Sequence, residues 1–199
     1  MRVTLFDYGA GNLHSLAKSL RGGDHDVRFE TDARAAIDTD VLVLPGVGAF
    51  EPAARALAPG RGAMRDAILA GLPCLGICLG MQLLFDGSDE GEGAGLGVMK
   101  GRVSRLRTAR APQIGWNSID DSVDPLFSAA HLETAYYANS FVCRPLDESA
   151  VTAWSTHEGD RFPAAVRAGR AVGVQFHPEK SSAPGIAFVH EFLNRVSHS

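Results

Sequence analysis

The chain has 199 residues, 45% of them hydrophobic and 21% charged, with a formal net charge of -4. That length suits one domain with a substantial core, the composition excludes a disordered or low-complexity chain, and the charge leaves no electrostatic footprint for nucleic acid. No apolar run is long enough to span a bilayer and the start at Met1 carries no signal-peptide pattern, so a cytoplasmic location is expected.

Residues 3–6 read as a buried strand that ends in Asp7-Tyr8-Gly9-Ala10-Gly11-Asn12. Leu13, Leu16, Ala17 and Leu20 then repeat at helical spacing, and Gly22-Gly23 closes that helix. Residues 27–30 form a short strand, and Asp32 is placed to cap an Ala-rich helix. Residues 41–44 are a continuous β-branched and leucine run, the pattern of a strand buried on both faces, and Pro45-Gly46-Val47-Gly48 breaks it. A helical stretch at 64–69 stops at Gly71, and 73–77 is another buried strand. Strands alternating with helices predict an α/β fold, an open, mostly parallel sheet flanked by helices. From Val98 onward, short strands at 103–106, 115–119, 134–141, 151–155 and 164–167 predict additional antiparallel strands in the second half. Residues 172–176 are one more buried strand, and 184–196 close the chain as an amphipathic helix. No repeat or linker divides the sequence, so residues 1–199 are expected to form a single domain.

The three cysteines, Cys74, Cys78 and Cys143, are an odd number, which argues against a disulfide framework. Cys74 and Cys78 match no common zinc spacing, and no second ligand pair lies nearby, so no metal is expected. Cys74 sits inside a strand and reads, like Cys143, as a core thiol. Cys78 differs. It is the centre of Gly76-Ile77-Cys78-Leu79-Gly80, between a buried strand and a helix marked by Met81, Leu84 and Phe85. A tight strand-to-helix turn of that kind presents its central residue at the carboxyl end of the sheet, and the flanking glycines relieve its steric conflicts. The helix start favours a thiolate there, and the Leu79 amide would face the oxyanion formed when Cys78 attacks a carbonyl. His177-Pro178-Glu179 leaves the strand at 172–176 with its geometry restrained by the proline. His177 suits a general base, and Glu179 a group that orients it and stabilises its charged form.

Together these motifs resemble the class I glutamine amidotransferases. The opening Asp7-Tyr8-Gly9-Ala10-Gly11-Asn12-Leu13, with Pro45-Gly46-Val47-Gly48 and His177-Pro178-Glu179-Lys180-Ser181, is similar in particular to the glutaminase subunits of imidazole glycerol phosphate synthases. The resemblance implies glutamine hydrolysis through a thioester on Cys78 with no cofactor. The ammonia would pass to a (β/α)8 cyclase subunit in a heterodimer that serves histidine biosynthesis. It also implies that the Val47 amide joins that of Leu79 at the oxyanion, and that Gly48, Gln82, Glu90 and Ser140 lie beside the substrate. Glu90 reads either as part of a solvated acidic turn or as a partner for the substrate α-ammonium. Asn12, Trp116 and Lys180 correspond to positions facing the cyclase, although a tryptophan in a strand also reads as core. One departure is that Asn139-Ser140-Phe141 stands where related glutaminases read His-Ser-Tyr. The alternatives are the glutaminase of a different synthase and a cysteine-dependent hydrolase of related fold.

Overall fold

A computed structural model describes residues 1–9, 13–21, 25–46 and 48–198. The chain begins β1 (Arg2–Phe6), α1 (His14–Leu20), β2 (Asp26–Glu30) and β3 (Val41–Leu44). Two helices, α2 (Phe50–Leu57) and α3 (Arg61–Leu69), lead into β4 (Cys74–Ile77), and α4 (Leu79–Leu83) starts one residue after it. Next come β5 (Gly87–Ser88), β6 (Gly101–Arg105), β7 (Gln113–Ser118), α5 (Pro125–Ala130), β8 (Thr134–Asn139) and β9 (Phe141–Pro145). The remainder is β10 (Val151–His157), β11 (Asp160–Ala168), β12 (Ala171–Val174) and α6 (Ser182–Ser197).

Among the described residues the central sheet has seven strands in the order β10-β11-β12-β4-β3-β1-β2. Strands β2, β1, β3, β4 and β12 run parallel, and β11 and β10 extend one edge in antiparallel fashion. Two small sheets, β5-β6-β9 and β7-β8, lie outside it. This is the mostly parallel sheet with antiparallel additions that the sequence predicts.

Both faces of β1, β3, β4 and β12 are buried, which is why those strands read as continuous apolar runs, while β2 forms an exposed edge. Val3, Leu5, Val41, Val43, Leu75 and Ile77 pack towards α1, α5 and α6. Phe6, Leu42, Leu44 and Cys74 pack towards α2, α3 and α4. Alternation with a period of two therefore sorts each strand between the two layers. Cys74 and Cys143 are free, fully buried thiols in the second layer. No helix among the described residues is long and apolar enough to cross a membrane.

Three local expectations change. Asp32 does act as a cap, its Oδ1 accepting from the amides of Arg34 at 2.7 Å and Ala35 at 3.2 Å, but the element it caps is only a 3-10 turn, Ala35–Ile37. The chain just beyond is claimed by β1, because Asp40 accepts from the Arg2 amide and the Thr39 hydroxyl donates to the Arg2 carbonyl. The strand predicted at 134–141 divides at Ser140: β8 pairs with β7 and β9 with β6. Helix α2 is not among the elements the sequence predicts; Pro52 lies in its first turn, where its missing N–H costs nothing. Gly22 and Gly23 lie outside the described residues.

Candidate active site

Strands β4 and β12 are sheet neighbours, with Val174 opposite Ile77, and the Cys78 amide donates to the Val174 carbonyl at 2.7 Å. Strand β3 flanks β4 on its other side, with Leu44 opposite Gly76. The segments leaving the three carboxyl ends therefore converge. A Cβ added to Gly46 would lie 3.0 Å from both Cys78 Cβ and His177 Cε1, so the thiol and the imidazole flank Gly46.

Cys78 has φ 47° and ψ -102°, a left-handed backbone that non-glycine residues rarely adopt. Such strain costs about 1–3 kcal/mol and persists only where the surroundings over-determine it. Here the surroundings are close backbone. A Cβ on Gly76 would come within 2.7 Å of the Gly80 carbonyl oxygen, and one on Gly80 would overlap the Leu44 carbonyl oxygen. The turn that lifts Cys78 thus requires the two glycines on either side of it.

His177 Nδ1 is 2.8 Å from Glu179 Oε1, and the imidazole also hydrogen-bonds Cys78. With Nδ1 engaged by the carboxylate, Nε2 is the nitrogen left for the thiol. The backbone holds the ring from below. The His177 amide donates to the Tyr136 carbonyl at 2.8 Å, while Ser181 Oγ donates to the His177 carbonyl at 2.7 Å and accepts from the Tyr136 amide at 2.9 Å. Burial opposes charge on this ring, but the hydrogen bonds to Cys78 and Glu179 and the charges of both outweigh it. The pKa of His177 is pushed up to about 10.

A folded-state pKa above the ordinary value of 6.5 means that protonated His177 stabilises the fold most fully below about pH 6.5. That contribution is lost as pH rises towards 10. The thermal midpoint should therefore fall between about pH 6.5 and about pH 10 in the native chain, and fall less steeply in His177→Asn. Parallel midpoints for the two proteins across that window would contradict the assignment.

A cleft of about 230 Å³ opens over Cys78, and its walls include Gly48, Leu79, Gln82, Glu90 and Ser140. The structure thus brings these sequence-predicted positions together with the thiol. Glu90 is exposed, and its Oε2 accepts from the Phe50 amide at 3.1 Å, so it also caps α2 just after Gly48. Gln82 is 4% exposed, and its Nε2 donates to the Phe141 carbonyl at 3.0 Å and to Gln175 Oε1 at 3.3 Å. Its amide nitrogen is therefore engaged by protein acceptors. Asn139 and Phe141 also line the cleft, and Asn139 Nδ2 donates to the Phe141 carbonyl at 3.1 Å. Val47 and Asn12 lie outside the described residues.

Trp116 is 56% exposed, which rules out the core reading for it. It stacks edge-on against Tyr136, and Lys180 Nζ lies 5.8 Å from the same ring, so Trp116, Tyr136 and Lys180 form one surface cluster beside the turn that carries His177. Ile114, 68% exposed, continues it along β7.

Sequence reasoning passed over three residues that the geometry places here. Gly46 lies against both the Cys78 side chain and the imidazole, where any side chain would crowd them. The Tyr8 hydroxyl donates to the Pro45 carbonyl at 2.9 Å and ties the end of β1 to the Gly46 segment. Gln175, fully buried, donates to Cys78 Sγ at 3.4 Å. Its signal was present: a polar residue inside an apolar strand needs buried partners.

The sequence model of the family described as "Glutamine amidotransferase class-I" matches residues 4–195. The imidazole glycerol phosphate synthase subunit HisH of Gloeothece citriformis is 37% identical to this chain, covering 98% of it and 96% of that protein. HisH of Halobacterium salinarum is 40% identical over 96% of this chain and 92% of its own length. Among solved structures, PurLQS from Thermotoga maritima superposes with a TM-score of 0.73 at 20% identity, covering 98% of each chain, a likeness of fold.

Proposed function

The chain belongs to the class I glutamine amidotransferase family, and from that premise we infer that it is the glutaminase subunit of an imidazole glycerol phosphate synthase, acting in histidine biosynthesis. The observation that carries this reading is the meeting of Cys78, His177 and Glu179 at the carboxyl ends of two adjacent parallel strands, in a chain 37–40% identical to named HisH subunits over almost its full length. The whole of residues 1–199 acts as one glutamine amidotransferase domain in this reading.

Cys78 Sγ attacks the side-chain amide carbon of glutamine, and the carbonyl electrons move onto oxygen. The Leu79 amide, at the first turn of α4 where helix N–H groups lack an intrahelical acceptor, stabilises that oxyanion. Val47 is assigned the second donor. His177, charged at neutral pH and held through Nδ1 by Glu179, gives a proton to the departing nitrogen. Ammonia leaves, and a γ-glutamyl thioester remains on Cys78. His177 then takes a proton from water, which attacks the thioester, and glutamate departs as the thiolate is regenerated beside the imidazolium. Two moderate barriers replace one high one. Gly48, Gln82, Glu90 and Ser140 line the space for the substrate, with the exposed Glu90 carboxylate available to the α-ammonium.

The partner is the cyclase subunit that consumes the ammonia. Its docking surface on this chain is the patch of Ile114, Trp116, Tyr136 and Lys180, apolar and aromatic with a cation, a composition suited to an interface core and rim. Glutamate release measured with and without the cyclase tests the reading. Stimulation by the cyclase is expected, and Lys180→Ala should reduce it roughly tenfold, the size expected when a well-placed interface contact of about 1.4 kcal/mol is removed. Undiminished stimulation would remove Lys180 from the interface. Glutamate release that responds only to another synthase would replace the pathway.

A further inference from the structure

Gln175 follows β12 directly and is fully buried. Its Nε2 donates to Cys78 Sγ at 3.4 Å, and its Oε1 accepts from Gln82 Nε2 at 3.3 Å. Gln82 Nε2 also donates to the Phe141 carbonyl at 3.0 Å. A backbone carbonyl can only accept, so this last bond determines which end of the Gln82 amide carries hydrogens. Gln82 then offers an N–H to Gln175 Oε1, and the Gln175 NH2 is left to face sulfur. Asn139 Nδ2 donates to the same carbonyl at 3.1 Å, supplying its second hydrogen bond. One backbone atom therefore sets the polarity of the whole row.

We propose that Gln175 is a second hydrogen-bond donor to the Cys78 sulfur, alongside His177, and that Gln82 is a positioning residue that keeps the donor end of Gln175 turned to the thiol. The inference rests on the reading of Cys78 as the nucleophile. An N–H donor stabilises a thiolate more than a thiol, so the row favours the reactive form before glutamine binds. It favours the same thiolate as leaving group when water opens the thioester. The other titratable groups facing Cys78 are His177 with Glu179 behind it, Tyr8 after β1, Cys143 on β9 and Glu90 in the cleft wall. Burial raises Tyr8 and Cys143 well above their ordinary values, so both stay neutral where the thiol reacts.

The test is the rate of Cys78 alkylation by iodoacetamide, without glutamine, from about pH 5 to about pH 10, read by mass spectrometry on the full chain. Cys74 and Cys143 are fully buried and give an internal background. Gln175→Leu should move the alkylation midpoint up by about one pH unit, a roughly tenfold loss of thiolate at a given pH. Gln82→Met, with Gln175 untouched, should move it in the same direction by less. If Gln175→Leu does not fold, Gln175→Met keeps an unbranched side chain of similar length and the same readout applies. A midpoint unmoved in the folded Gln175 variant overturns the proposal and leaves Gln175 as packing. A native chain whose Cys78 alkylates no faster than an unfolded thiol overturns the nucleophile reading instead.

Discussion

Cys78→Ala should remove glutamine-dependent synthesis, lowering glutamate release roughly 10⁴-fold or more, while synthesis from added ammonia in the assembled synthase continues. The size of the loss reflects how the site is built. His177 and Glu179 serve a sulfur, and with the sulfur gone there is nothing for the imidazolium to stabilise and no acyl carrier. A second measurement on the same position reads the strain. Because Cys78 holds φ 47°, glycine there relieves a backbone conflict that alanine retains. Cys78→Gly should therefore unfold at a higher temperature than Cys78→Ala, although both are inactive. Glutamate release surviving in either variant would end the thioester mechanism; an inverted order of stability would show that the elbow stores no strain.

Gly80→Ala should be the most damaging single methyl in the elbow. The added carbon would overlap the Leu44 carbonyl oxygen, which is backbone of β3 and cannot rotate away. Relief would require moving α4 off β3, and with it the Cys78 turn. A loss of about 3 kcal/mol or more of stability is expected, at the upper end for overpacking, together with loss of glutaminase activity. Gly62→Ala in α3 is the matched control, since its Cβ meets nothing within 4 Å. There the change should be neutral or stabilising by up to about 1 kcal/mol, from helix propensity alone. Urea denaturation of the two variants separates them, and equal midpoints would show that α4 does not approach β3 so closely.

The parallel half of the fold was legible because burial on both faces leaves an unbroken apolar run, as in Val41–Leu44 and Cys74–Ile77. Boundaries failed where a distant segment, and not local propensity, decided the conformation. Residues beyond Asp32 were drawn to β1, and Ser140 ended β8 because its neighbours on the two sides pair with different strands. The meeting of Cys78, His177 and Glu179 was legible since each is announced by the residues beside it. Gly46, Tyr8 and the direction of the Gln82 amide were not, because their roles exist only in contacts across the sheet. Trp116 shows the same limit from the other side: alternation along β7 places it on one face but does not say whether anything covers that face.

The order of the central sheet also dictates when the site comes into being. Cys78 and Gln175 are 97 residues apart in sequence but touch across adjacent strands, because β12 inserts between β4 and β11. During synthesis the thiol emerges long before the strand that brings its imidazole, its carboxylate and the Gln175 donor. A chain that has not paired β12 with β4 therefore carries Cys78 without the imidazole and the Gln175 amide that lie against it in the fold. The constellation thus exists only where β12 lies beside β4, and a chain cut before β12 has the thiol without its neighbours.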